Sequence, residues 1–169
     1  MEEALIICLV ATVLVGYKDL ANKIISQWVT VFFFALNSLL IIVLHQYQVI
    51  PYISISSSAV LTLVAFGTLA IGMPFTLQYA KLDVPRETWE NPIFIQINKE
   101  MTFGWGLLFA VGLIKSVIEF FYNDLFGVLG DATMYITIII GMIFTMKYPV
   151  FAKSRKLKKQ TEQQGSAVN

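Results

Sequence analysis

Residues 24–80 read IISQWVTVFFFALNSLLIIVLHQYQVIPYISISSSAVLTLVAFGTLAIGMPFTLQYA and contain no Asp, Glu, Lys or Arg. A small soluble domain needs polar cover over its exposed faces, so it does not contain so long an uncharged run. In a bilayer the run is ordinary, because about 20 apolar residues cross the ~30 Å hydrocarbon layer. The polar, proline-bearing segment 45–51 divides the run. The stretch therefore predicts two transmembrane helices, at about residues 24–44 and 55–79.

The composition of the whole chain agrees with a membrane protein. Hydrophobic residues make up 57% and charged residues 14% of the 169 residues, whereas a typical soluble domain has roughly 25% charged residues. This length suits one compact bundle rather than two domains. Cys8 is the only cysteine and His45 the only histidine, so we expect no intramolecular disulfide, no metal site and no cofactor.

Three further apolar segments complete the predicted bundle, at about residues 2–17, 102–122 and 132–151. The first begins with two glutamates rather than the basic region of a signal peptide, so we expect it to be retained. It rises only about 24 Å as a helix, so an interfacial or half-inserted helix is the alternative to a span. We predict an all-α, polytopic membrane helical bundle of about five transmembrane helices. It forms a single domain over residues 1–152, and a basic, disordered cytoplasmic tail follows over residues 153–169.

The longest polar stretch between spans is residues 81–100, where charges of both signs alternate with large apolar residues. Pro85 is well placed to begin a short helix, because proline suits the first helical position. The pattern predicts an amphipathic helix that lies in the headgroup plane between the third and fourth spans. The candidate interfacial residues are Lys81, Pro85, Arg86, Trp89 and Asn98.

The cations are unevenly distributed between the connecting segments. Lys and Arg occur in segments 18–23, 81–100 and 153–159, but are absent from the N-terminus and from segments 45–54 and 123–131. Five spans place these two groups on opposite sides of the membrane. The positive-inside rule then predicts a multi-pass protein with its N-terminus outside and its C-terminus in the cytoplasm.

Several small or polar residues within the spans predict helix packing. Met73-Pro74 indicates a kink or an end of the third span. An amide within a span usually finds a partner on a neighbouring helix, and glycines permit close approach of two backbones. The candidates for interhelical contact are Asn37, Gly67, Gly72, Gly106 and Gly112.

Lys115 and Glu119 form a candidate intramembrane charged pair. They are four residues apart and hence lie on one helical face. Ionisable residues at membrane depth often mark ion paths or coupling sites. The alternative is that the two side chains pair with each other and reach outward to the nearby aqueous boundary.

The chain contains none of the common motifs for phosphate, nucleotide or zinc chemistry. The cations of the tail follow a span directly. They are better explained as topology determinants and contacts to anionic lipids than as a nucleic-acid site. We therefore expect no nucleic acid among the partners and identify no catalytic residues.

A set of residues spread over about the C-terminal 100 positions resembles a known family. The set comprises Pro74, Gln78, Pro85, Trp89, Asn98, Trp105, Phe109 and Gly112. Their spacing is similar to that of the bacterial inner-membrane septation-protein family, which are small multispan proteins linked to cell-envelope and division processes. The segment Gly141–Thr145 also resembles the last span of that family. The resemblance implies a membrane scaffold or interaction function and supplies no catalytic residues.

These observations favour a non-enzymatic integral membrane protein that acts through protein partners in the bacterial cell envelope. Its expected partners are the lipid bilayer and membrane proteins, including further copies of itself. One alternative is a small oligomeric transporter or channel that uses Lys115 and Glu119. Another is a membrane enzyme that acts on lipid at the headgroup level, with Asp83, Arg86 and nearby glutamates of the 81–100 loop.

Overall fold

The computed structural model describes residues 2–122 and 127–167, and every regular element within those ranges is helical. The α-helices are α1 (Glu2–Val15), α2 (Tyr17–Ala21), α3 (Ile25–Ser38), α4 (Ile53–Ala70), α5 (Phe75–Ala80), α6 (Pro92–Tyr122) and α7 (Gly127–Ala167). A π-helical turn at Leu39–Val43 extends α3, and 3₁₀ helices occur at Tyr47–Tyr52 and Arg86–Thr88.

Four helical stretches in the described residues are long and apolar enough to cross a membrane. They are Ile25–Val43, Tyr47–Ala70, Pro92–Tyr122 and Tyr135–Arg155. The predicted all-helical membrane class is therefore confirmed. The apolar part of α1, Leu5–Val15, is shorter than these four, so the count of five spans stays a prediction.

The third predicted span ends earlier than expected. After Ala70 the chain makes a turn in which Gly72 has φ +76°, in the left-handed region that glycine adopts readily. Pro74 then directs the chain into the short helix α5. The predicted interruption at Met73-Pro74 is confirmed as the end of one helix and the start of another. The predicted span at about residues 55–79 thus consists of two helices, α4 and α5.

The helix expected in the headgroup plane over residues 81–100 is replaced by two different structures. Residues 81–91 form turns and one short 3₁₀ helix directly after Pro85. From Pro92 onward the chain belongs to α6, which is continuous with the fourth predicted span. Asn91 explains this start: its Oδ1 accepts hydrogen bonds from the N–H groups of Ile93 at 2.9 Å and Phe94 at 3.4 Å. An asparagine cap followed by proline is a favourable helix beginning.

The C-terminal tail also differs from expectation. Helix α7 continues through Ala167, so the backbone of the tail is helical where the composition predicted disorder. Lysine, arginine and glutamine are good helix formers, which explains why the helix continues beyond the span. Of the turn expected at 123–131, residues 123–126 lie outside the described ranges, and residues 127–131 belong to α7.

The segments that carry cations meet at one end of the bundle. The N–H of Ile25 donates to Oε1 of Gln78 at 2.9 Å, and the hydroxyl of Tyr148 donates to Glu100 at 2.6 Å. We call this the basic end; its segments are 18–25, 75–100 and 148–155.

The opposite end is built from the 45–58 segment and the last turns of α6. The hydroxyl of Ser116 lies 3.1 Å from that of Ser54 and 3.3 Å from that of Ser58. We call this the serine end; its segments are 45–58 and 116–122. The predicted grouping of the 45–54 loop apart from the cation-bearing segments agrees with this arrangement.

Helix α1 packs against α3. Leu5 is buried, and Nε2 of Gln27 donates to the carbonyl of Thr12 at 3.0 Å near the basic end. Ile7, Leu14 and other large apolar side chains on the outer face of α1 are exposed. Such a face is favourable in lipid and unfavourable in water.

Candidate functional site

The clearest concave feature is a cavity of about 580 Å³ at the basic end. Its walls come from α5, the 81–91 turn, the first half of α6 and the part of α7 around Thr145–Lys153. Its surface is mostly apolar, with a few polar groups near its mouth. That combination is typical of sites for amphipathic ligands.

Helix α5 is fixed to α6 by buried threonines. The hydroxyl of Thr76 donates to the carbonyl of Asn98 at 2.8 Å and lies 2.8 Å from the hydroxyl of Thr102. The hydroxyl of Thr102 also accepts from the N–H of Thr76 at 3.4 Å. All three residues are buried. Because buried polar groups are costly to leave unpaired, this network holds α5 in one position.

A further threonine joins α5 to the preceding helix. Thr68 is buried and its hydroxyl donates to the carbonyl of Val64 at 2.7 Å, while it accepts from the N–H of Phe75 at 3.2 Å. That N–H is at the start of α5, where no intrahelical acceptor is available. Thr68 thereby supplies the cap that Pro74 cannot provide with a side chain.

The 81–91 turn is organised around Trp89. Its indole N–H donates to the carbonyl of Lys81 at 3.1 Å. The Lys81 ammonium lies 5.3 Å and the Arg86 guanidinium 5.6 Å from the centre of a Trp89 ring, within cation–π range. Lys81, Arg86 and Trp89, which the sequence identified as interfacial, thus contact one another.

Helix α7 forms the remaining wall of the cavity. The indole N–H of Trp105 donates to the hydroxyl of Thr145 at 2.9 Å. A Cβ placed on Gly104 would lie 2.7 Å from the ring of Phe144, so the two helices approach closely there. These contacts hold α7 against α6 beside the cavity.

Aromatic rings form part of the cavity wall: Phe75 and Trp105 line it, and Phe109 packs against both. The ring centres of Trp105 and Phe109 are 5.4 Å apart, and those of Phe75 and Phe109 are 6.5 Å apart. Ile97 and Met101 add buried aliphatic surface to the lining. An acyl chain is the type of group that such a wall would accept.

The mouth of the cavity carries two opposite charges, on Asp83 and Lys153. Both residues are exposed, and neither side chain forms a hydrogen bond or an ion pair with another described residue. Thr88 and Asn91 line the same region. The Oδ1 of Asn91 caps α6, which leaves the amide N–H groups of this side chain available.

Lys115 and Glu119, the candidate intramembrane pair, form an ion pair away from this cavity. Nζ of Lys115 is 2.7 Å from Oε1 of Glu119, and the side chains are 23% and 29% exposed. The adjacent Ser116 belongs to the serine end. Lys115 and Glu119 do not line the basic-end cavity.

Of the four glycines predicted to contact neighbouring helices, one lies against another helix of this chain and three do not. Gly106 is as expected, since a Cβ there would lie 2.9 Å from the ring of Phe66 on α4. The expectation is wrong for packing within the chain at Gly67, Gly72 and Gly112, where a Cβ would meet nothing within 4 Å. Gly72 serves the turn after α4 instead.

Two predicted amides bond within their own helices. Asn37 is buried, but its Nδ2 donates to the carbonyl of Phe33 in α3 at 2.8 Å, so the expected bond to a neighbouring helix is not formed there. Asn98 was expected at the membrane interface and is instead 4% exposed. Its Nδ2 donates to the carbonyl of Phe94. Its functional contribution is its own carbonyl, which accepts from Thr76.

Sequence reasoning missed the residues that build the cavity, above all Thr68, Thr76, Thr102 and Thr145. A threonine in an apolar helix commonly bonds to its own helix, as Thr62 does with the carbonyl of Ser58. The sequence carries no signal that separates such a threonine from one that reaches a different helix. The one available hint was the concentration of threonines on either side of the Met73-Pro74 interruption.

The described residues contain no group of three His, Cys, Asp or Glu side chains that could hold a metal ion. The chain matches no family model, no curated protein and no solved structure.

Proposed function

We propose that the chain is a five-span, non-enzymatic protein of the bacterial inner membrane that acts by binding protein partners at its basic end. The observation that carries this proposal is the buried network of Thr76, Asn98 and Thr102. It fixes α5 against α6 and so supports a defined surface on the adjoining 81–91 turn. A rigid support is what a recognition surface requires, because ordering a flexible one would weaken binding.

The surface of the 81–91 turn suits a polar partner. Arg86, Glu87 and Glu90 are exposed, as are Leu82 and Pro85. Exposed charges of both signs around apolar residues are common at the rim of protein interfaces. The resemblance to the septation proteins implies the same type of function, in the cell envelope.

The orientation in this proposal rests on the distribution of cations. The basic end gathers the 18–25, 75–100 and 148–155 segments, and the positive-inside rule favours the cytoplasm for it. The packing of α1 along α3, with an exposed apolar outer face, supports α1 as the fifth span. Its length of 14 residues corresponds to about 21 Å and requires a locally thin bilayer.

Cysteine accessibility tests the topology. In a Cys8→Ser background, Gln48→Cys should react with a membrane-impermeant thiol reagent in intact cells. Arg86→Cys and Ser154→Cys should react only after the membrane is opened, because they belong to the basic end. Labelling of Arg86→Cys in intact cells would contradict the proposed orientation.

Partner binding is tested by crosslinking in cells followed by affinity capture in mild detergent. Arg86→Glu reverses a charge on the proposed surface and should remove specific crosslinked proteins that the unmodified chain retains. Gln48→Glu is the matched control, since it adds one negative charge to an exposed site at the serine end. Identical protein sets from all three chains would argue against a binding surface on the 81–91 turn.

Transport through Lys115 and Glu119 has less support from the geometry. The two charges are 2.7 Å apart and largely neutralise each other, which favours structural pairing over ion passage. A lipid-modifying enzyme has less support, because the described lining of the cavity carries only two charged side chains, Asp83 and Lys153, and both are exposed. Binding remains the function with the better support.

A further inference from the structure

The basic-end cavity has the two-part chemistry of a phospholipid site. Phe75, Met101 and Trp105 supply apolar lining, and the charged lining residues Asp83 and Lys153 are exposed. About 12 Å of helix axis separates Thr145, which bonds to Trp105, from Lys153. The cavity therefore passes from an apolar floor to a charged rim over the distance that joins an acyl chain to a headgroup.

The position of the cavity relative to a bilayer agrees with this chemistry. Lys153 lies near the end of the apolar stretch Tyr135–Arg155, whereas Thr145 is well inside it. A lysine at the end of a span reaches the headgroup layer. The apolar floor is then level with the hydrocarbon, and the charged rim is level with the headgroups.

The rim also indicates which headgroup fits. Lys153, Thr88 and the amide N–H groups of Asn91 are hydrogen-bond donors, and the positive end of the α6 dipole lies at the same place. These groups suit a phosphate. Asp83 is the only anion among the described residues of the lining, and it suits an ammonium group. Its charge disfavours a headgroup that is only anionic.

The other cations nearby do not add to the charge of the cavity lining. Lys81 and Arg86 are engaged with the ring of Trp89 and do not line the cavity. Lys153 is thus the only cation among the described lining residues. One cation and one anion, each without a described partner, match the two charges of a zwitterionic headgroup.

We propose that the cavity binds one phospholipid whose headgroup carries both a phosphate and a primary ammonium, a phosphatidylethanolamine. The phosphate contacts Lys153, Thr88 and Asn91, and the ammonium contacts Asp83. One acyl chain lies against Phe75, Met101 and Trp105. This binding goes beyond the proposed partner function and does not depend on it.

Native mass spectrometry of the purified full chain tests the proposal. The protein in a non-ionic detergent is titrated with dimyristoyl phosphatidylethanolamine and, separately, with dimyristoyl phosphatidylglycerol. We expect one phosphatidylethanolamine per chain, bound about tenfold more tightly than phosphatidylglycerol, since one charge-assisted hydrogen bond distinguishes them. Equal retention of the two lipids, or tighter binding of phosphatidylglycerol, would overturn the assignment.

Matched variants locate the site. Lys153→Gln should weaken phosphatidylethanolamine binding about tenfold, whereas Arg155→Gln, which removes an exposed cation nearby, should leave it unchanged. Asp83→Asn should abolish the preference over phosphatidylglycerol, whereas Glu87→Gln should preserve it. These side chains are exposed, so the variants leave the buried core intact.

A variant that fills the cavity with a larger side chain provides the last test. Ala80 lines the cavity and is half-buried, so Ala80→Trp should displace the acyl chain and abolish retention of the lipid. A lipid that Ala80→Trp still retains is bound elsewhere, and the proposal is then wrong. If Ala80→Trp loses the lipid but still crosslinks its protein partners, the proposed function stands without the lipid site. If a variant keeps the lipid but loses its protein partners, the lipid site stands without the proposed function.

Discussion

The basic end and the serine end both join distant parts of the chain through hydroxyl groups, but in different surroundings. At the basic end Thr102 has no exposed surface, and its hydroxyl and that of Thr76 serve the backbone groups of α5 and α6. At the serine end Ser116 is 8% exposed, and among the described residues its hydroxyl bonds to the hydroxyls of Ser54 and Ser58 and to no backbone group. Ser54 is itself exposed.

The difference indicates which polar contacts determine the structure. At the basic end, loss of a hydroxyl leaves a buried backbone group without a partner, and such a loss is costly. At the serine end the backbone groups are already hydrogen-bonded within α4 and α6. The hydroxyls therefore add to a contact that side-chain packing maintains. The rings of Tyr52 and Phe120, 5.0 Å apart, contribute to that packing.

The largest expected effect tests how closely α6 is packed on the two sides of its middle. Gly106→Leu places side-chain atoms where the ring of Phe66 lies, and should destabilise the protein by ~1–3 kcal/mol. Gly112→Leu, six residues nearer the serine end, meets open space and should be neutral or stabilising. Thermal melting in detergent measures both. Equal losses would show that another molecule covers Gly112.

The next effect compares the two hydroxyl clusters directly. Thr102→Val keeps the side-chain shape but leaves the N–H of Thr76 without its acceptor, and should cost ~1–3 kcal/mol. Ser116→Ala should cost less than about 1 kcal/mol, because Ser54 is able to bond to water instead. The same melting experiment checks the pair. A larger loss for Ser116→Ala would reverse the contrast between the two ends.

The smallest effect concerns the ion pair next to the serine end. Lys115→Met combined with Glu119→Gln removes both charges and should change stability by only about 0.2–1 kcal/mol, the range for partly exposed pairs. A structural pair also predicts that the double variant complements a deletion strain. Failure of complementation by a stably folded double variant would restore the transport hypothesis.

Much of the fold was predictable because lipid imposes simple constraints. Long apolar segments located the spans around residues 24–44 and 102–122, and Met73-Pro74 located an interruption. The (i, i+4) spacing of Lys115 and Glu119 was sufficient to predict their ion pair, because it depends on the geometry of a single helix.

The start of α6 and the cavity were not predictable from the sequence, because both depend on contacts between residues far apart in the chain. Lys99 and Glu100 indicated a polar loop, but a helix satisfies its own backbone and continues through charged residues when their side chains find partners. Glu100 accepts from Tyr148, 48 residues further along the chain. Likewise Thr76 and Thr102 acquire their role only when α5 folds against α6. Contacts of this range depend on the assembled structure rather than on local pattern.

The hydrogen bond between Ile25 and Gln78 has a consequence for biosynthesis. The first turn of α3 has no side-chain cap of its own, and its N–H at Ile25 is paired with a residue 53 positions later. At about 5–20 residues per second, a ribosome needs about 3–10 s to synthesise that interval. The first turn of α3 is therefore completed only after the following span has left the ribosome, so α3 and α4 reach their final positions as a unit.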